Sequence, residues 1–146
     1  MYEIPVAAII LLGTVGAGLV AHELAHAAVL SAFGITYEIE WFPKSSTAGF
    51  SSAHAFGTWA TVTPSSISPE VSPWKLRVSA VAPLALAVPP SLVLLEVVSL
   101  DWTGLWVAAV VVGSLGCALP SPQDFSLFWH AGRIIEAERT AAPEEH

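Results

Sequence analysis

Charged side chains are scarce in this sequence. They make up 12% of its 146 residues, against about 25% in an average soluble domain. So little charge cannot cover a water-facing surface, which argues against an ordinary soluble globule. Cysteine is nearly absent as well. Cys117 stands alone, so a disulfide framework and a CxxC metal site are both excluded, and it reads as a small apolar helix residue. Basic residues number five against twelve acidic ones, for a formal net charge of −7. Nucleic-acid binding needs basic patches, so no nucleic-acid partner is expected.

What is present in quantity is apolar. Hydrophobic residues account for 54% of the chain, and the mean hydropathy is +0.66. The bilayer is therefore the expected solvent and partner. The length suits one unit, a membrane-embedded core over residues 1–140 followed by a disordered polar tail over 141–146.

A first apolar run covers residues 4–33 and ends at Gly34. The chain opens Met1-Tyr2-Glu3, without the basic segment of a signal peptide, so the run is read as a retained transmembrane helix. As a helix it is about 45 Å long, more than the ~30 Å hydrocarbon core, so it must tilt or protrude. Gly13, Gly16 and Gly18 lie within it and should let another helix approach closely. Residues 35–42 alternate and are rich in β formers, as are residues 56–63; together they predict a β-hairpin. The stretch 64–73, rich in Ser and Pro, reads as a loop. A second span is expected over 75–100, kinked by Pro83, Pro89 and Pro90. A third begins near Leu105 and is broken by Pro120 and Pro122, with a further helix over 123–138. The fold class is thus an all-α membrane protein of three to four transmembrane helices, with a small β-hairpin between the first two.

All five basic residues, Lys44, Lys75, Arg77, Arg133 and Arg139, fall in the hairpin loop or toward the C-terminus. Basic flanks face the cytoplasm, so that side is expected to be cytoplasmic, in the cell membrane. Trp41, Trp59, Trp74, Trp102 and Trp106 lie at span ends, as interfacial anchors do.

Inside the first span stands His22-Glu23-Leu24-Ala25-His26, an HExxH motif. Side chains four apart share one helix face, so both imidazoles can hold one metal ion, with Glu23 beside it as general base. Ionisable groups within a span are costly and usually functional. Catalytic zinc takes three protein ligands and keeps one position open. Asp124, after Leu119-Pro-Ser-Pro-Gln123, is the expected third ligand, at the same cytoplasmic depth as HELAH; the local pattern also fits a helix cap. His54 and His130 are further candidates, although both read more simply as interfacial histidines. Glu96 reads as a buried acid toward the opposite face.

These residues resemble the site-2 protease family of intramembrane zinc metalloproteases. Three segments match in order: HELAH followed by Ala27-Ala28-Val29, Val81-Ala82-Pro83-Leu84-Ala85 in the second span, and Leu119-Pro-Ser-Pro-Gln-Asp124. Ala82 and Phe125 stand where that family usually carries glycine. The resemblance implies a three-helix catalytic core, Zn2+ held by His22, His26 and Asp124, and Glu23 as base. It implies a transmembrane protein as substrate, cut in or near its membrane segment. Such a helix must unwind to expose a peptide bond, and the hairpin could hold the extended segment by strand addition. The alternative expectation is a non-proteolytic membrane metal-binding or transport protein.

Overall fold

A computed structural model describes residues 2–41, 60–66, 70–98 and 104–141. The chain is mostly helical, with one two-stranded sheet. Helix α1 spans Glu3–Ala32, and the hairpin consists of β1, Thr36–Trp41, and β2, Ala60–Ser66. The second span is broken into α2, Pro73–Val81, a 3-10 segment, Ala82–Ala87, and α3, Val88–Leu94. Then come α4, Leu105–Ala118, and α5, Pro122–Ala141. Among the described residues, three helical stretches are long and apolar enough to cross a membrane: Glu3–Ala32, Pro73–Leu94 and Leu105–Ala137. In the first, only 6% of the most apolar window is buried, so this helix turns its aliphatic side chains outward.

The end of α1 follows from Gly34. Its φ of +68° is left-handed, a conformation glycine adopts at little cost. Gly34 N–H reaches Ser31 O at 3.0 Å and Ile35 N–H reaches Leu30 O at 2.9 Å, the paired bonds of a Schellman stop. Leu30 and Ile35 then meet Leu76, Ala131 and Ile135 in the buried core. This core ties α1 to α2 and α5 beneath the hairpin, whose Tyr37 and Val62 pack against it.

The strands pair antiparallel, with Ile39 opposite Val62 and Tyr37 opposite Pro64. The second strand continues through Pro64 to Ser66, where the sequence suggested a loop. Proline is tolerated because the N–H it lacks would point to the open edge rather than to β1. Residues 56–59, His54, Lys44 and the tail after residue 141 lie outside the described residues.

The predicted interruption of the second span is present, but its helix ends at Leu94, earlier than expected. Glu96 takes a left-handed φ of 56° there, and Val97 N–H closes on Leu92 O at 3.0 Å. Glu96 is exposed, which corrects its reading as a buried acid. It ends a helix instead.

Helix α1 packs against α4 through one of its three glycines. A Cβ on Gly18 would lie 2.6 Å from Cys117 Sγ, whereas Gly13 and Gly16 have nothing within 4 Å. The close approach expected of all three therefore belongs to Gly18.

Candidate metal centre

His22 and His26 sit one turn apart on α1, both buried, with ring centroids 5.0 Å apart. Each ring is anchored by a different helix. His22 Nδ1 is 2.8 Å from the Cys117 carbonyl of α4, and His26 Nδ1 is 2.7 Å from the Ser79 carbonyl of α2. A carbonyl only accepts, so each Nδ1 carries a hydrogen, and in the neutral ring each Nε2 presents a bare lone pair. Those two lone pairs face each other at 3.3 Å.

Asp124 completes the cluster from the first turn of α5. Its carboxylate lies 3.4 Å from His22 Nε2 and 3.1 Å from His26 Nε2. Ser121 N–H donates to Asp124 Oδ2 at 2.6 Å, and Asp124 N–H donates to Ser121 Oγ at 3.2 Å. That reciprocal pair is a capping box, so Asp124 caps the helix and faces the histidines at once. Capping orients the carboxylate before any ligand arrives.

The donor atoms of His22, His26 and Asp124 all lie within 4.8 Å of one another. With both rings neutral they are acceptors crowded together with no hydrogen to share, since the ring hydrogens point at carbonyls. A single proton would relieve one contact; a metal cation at the centre satisfies all three donors. Two imidazole nitrogens and one carboxylate leave a fourth position open on a tetrahedral ion. The residues present therefore fit a metal ion.

Glu23 lines a cavity of about 250 Å3 together with His26, Asp124, Ser79 and residues Val62, Thr63 and Pro64 of β2. Its Oε2 accepts the Val62 backbone N–H at 3.2 Å. The hairpin thus lies directly over the cluster. His130 takes no part: it is exposed on α5 and donates Nδ1–H to Ser126 O at 3.0 Å.

Sequence reasoning missed the partners that act through backbone atoms: the Ser79 and Cys117 carbonyls and the Val62 N–H. Every residue type carries these groups, so they leave no compositional signal. The sequence suggested a cap here with Asp124 as the capping residue; the structure gives that place to Ser121, and Asp124, three residues on, answers it. No family model, curated protein or solved structure matches the chain.

Proposed function

We propose that this chain is an intramembrane zinc endopeptidase of the site-2 protease type, cutting transmembrane proteins within or near their membrane segments. The observation that carries the reading is the convergence of the HExxH pair on Asp124 beside a cavity that Glu23 lines. His22, His26 and Asp124 would hold the zinc. A zinc ion there supplies Lewis acidity, polarising a peptide carbonyl and making a water acidic enough to ionise near neutrality. Glu23 takes the proton from the attacking water and returns it to the departing amine. The three anchored donors cost no reorganisation at that moment.

An unwound substrate segment fits beside β2. Because Val62 N–H points to Glu23, Val62 faces away from β1, and by the two-residue period so does Pro64. The open edge therefore presents the Val62 and Pro64 carbonyls but little donor capacity, since the Val62 N–H is engaged and Pro64 has none. Two substrate N–H groups, two residues apart, would donate to those carbonyls. The substrate carbonyl between them finds no strand partner and stays free to be attacked. The proposed orientation places the hairpin, the start of α2 and the C-terminal end on the cytoplasmic side of the cell membrane, from the five basic residues in those segments.

The test is cleavage of single-span reporter proteins in liposomes, comparing wild type with Glu23→Gln at measured zinc content. Zinc-dependent cleavage by wild type and none by the variant supports the peptidase. Full function of a zinc-loaded Glu23→Gln variant would favour a non-proteolytic metal protein.

A further inference from the structure

We propose that Pro83 and Pro120 are positioning residues for the metal centre: each keeps a helix-end carbonyl free to orient one of the two histidines. The proposal rests on the metal-binding reading above. Within an α-helix a carbonyl takes the N–H four residues on. For Ser79 that residue is Pro83, which has no N–H. The Ser79 carbonyl keeps the tighter bond from Ala82 N–H, and its second lone pair accepts from His26 Nδ1 at 2.7 Å.

Cys117 on α4 repeats the device with different parts. Three residues on is Pro120, again without an N–H. Four residues on is Ser121, whose N–H is turned to Asp124 Oδ2 at 2.6 Å. The Cys117 carbonyl accepts from His22 Nδ1 at 2.8 Å instead. A buried carbonyl needs a partner: at Cys117 the imidazole supplies it, and at Ser79 the imidazole takes the lone pair that Ala82 N–H leaves open. Each ring is thereby locked with its hydrogen outward and its Nε2 lone pair inward, toward Asp124.

Two helix breaks thus serve two ligands that both lie on an unbroken third helix. The arrangement separates these prolines from the others in the second span. Pro90 is also buried, but the carbonyl four residues before it belongs to Leu86, in the 3-10 segment, while the two ligand histidines bond to Cys117 and Ser79. Restoring an N–H at position 83 or 120 would return the carbonyl to the helix and release one ring.

The experiment uses the full chain in detergent. Zinc affinity is measured by chelator competition for wild type, Pro83→Ala, Pro83→Val, Pro120→Ala and Pro90→Ala. Pro83→Val restores the N–H while keeping most of the buried volume, and Pro90→Ala reproduces the loss of a buried proline without reaching a ligand. The Pro83 and Pro120 variants should bind zinc about 10- to 100-fold more weakly, the usual effect of losing a ligand's outer partner. Pro90→Ala should bind as wild type does.

Ring-nitrogen NMR of the metal-free protein at alkaline pH supplies the second readout. His26 should be the Nδ1–H tautomer in wild type and lose that preference in both Pro83 variants, while His22 keeps it. Pro120→Ala should do the reverse. A general loosening of the fold would move both rings or neither. Unchanged affinity and unchanged tautomers in the Pro83 and Pro120 variants would overturn the proposal. If wild type binds no zinc, the metal reading fails on its own, and the tautomers still decide whether the prolines orient the rings. If the Pro83 variants do not fold, Pro120→Ala decides through His22 alone.

Discussion

The backbone N–H of Val62 donates to Glu23 Oε2 at 3.2 Å, joining residues 39 positions apart. The carboxylate of the HExxH motif is therefore held by the strand that borders the cavity, and the hairpin and Glu23 form one mechanical unit. In the proposed reaction a peptide laid along β2 would meet that carboxylate. Hairpin placement and base placement should then fail together.

Val62→Pro removes this one N–H. It should spare the pairing with β1, because Val62 faces the open edge, as Pro64 already does. Turnover of a cleavable reporter should fall, by up to about 10²-fold for a misplaced group, while zinc content stays at the wild-type level. Parallel measurement of cleavage and metal checks this. Loss of zinc along with activity would show that the strand supports the fold and not the base.

Glu23→Gln keeps the side-chain shape and can still accept the Val62 N–H through its amide oxygen. Folding and metal content should survive. Cleavage should drop about 10²- to 10⁴-fold, the usual cost of losing a general base. Equal rates for variant and wild type would remove Glu23 from the chemistry.

Asp124 has two tasks that a pair of variants can separate. Asp124→Asn leaves an oxygen for Ser121 N–H, so the start of α5 should persist while zinc binding weakens through lost charge. Asp124→Ala loses both the charge and the acceptor for Ser121 N–H, and should cost about 1 kcal/mol of additional stability from that lost hydrogen bond. Thermal unfolding in detergent together with metal analysis distinguishes them. Full zinc occupancy in Asp124→Ala would mean that another residue is the third ligand.

Gly18→Ala would drive a methyl group into Cys117, since the added Cβ would stand 2.6 Å from its Sγ. The overpacking should cost about 1–3 kcal/mol, and by displacing the Cys117 carbonyl it should weaken zinc binding through His22. Adding Cys117→Gly should recover part of both losses. Gly16→Ala, with open space around it, should be silent in the same assays.

Topology is checked by cysteine labelling at Ser46→Cys and Ala142→Cys in a Cys117→Ala background. Both positions should be protected from an impermeant reagent added outside intact cells. Labelling from outside would reverse the orientation.

Much of this arrangement is legible along the chain because it is local. Hydrophobic runs mark the spans, Gly34 stops α1 because it adopts a left-handed φ, Pro83 and Pro120 break helices because they lack an N–H, and Pro122 opens α5. The i, i+4 spacing of His22 and His26 alone places both rings on one face. The extent of β2 was less legible. Pro64 reads as a breaker in isolation, and only the pairing with Tyr37 turns its missing N–H outward. Glu96 was misread because its apolar neighbours suggest burial, whereas its backbone ends a helix in exposed surroundings.

Neighbours a few residues apart are enough to set the apolar spans, their breaks, the hairpin between them and the histidine pair, so the order of residues carries all four. The meeting of Asp124 with that pair is not local. It depends on α1 and α5 being brought together by core packing among Leu30, Leu76 and Ile135. Nor is it local that His22 and His26 find the Cys117 and Ser79 carbonyls, 95 and 53 residues away. Every residue carries the same carbonyl, so which ring a given carbonyl faces depends on where the helices end and how closely they pack.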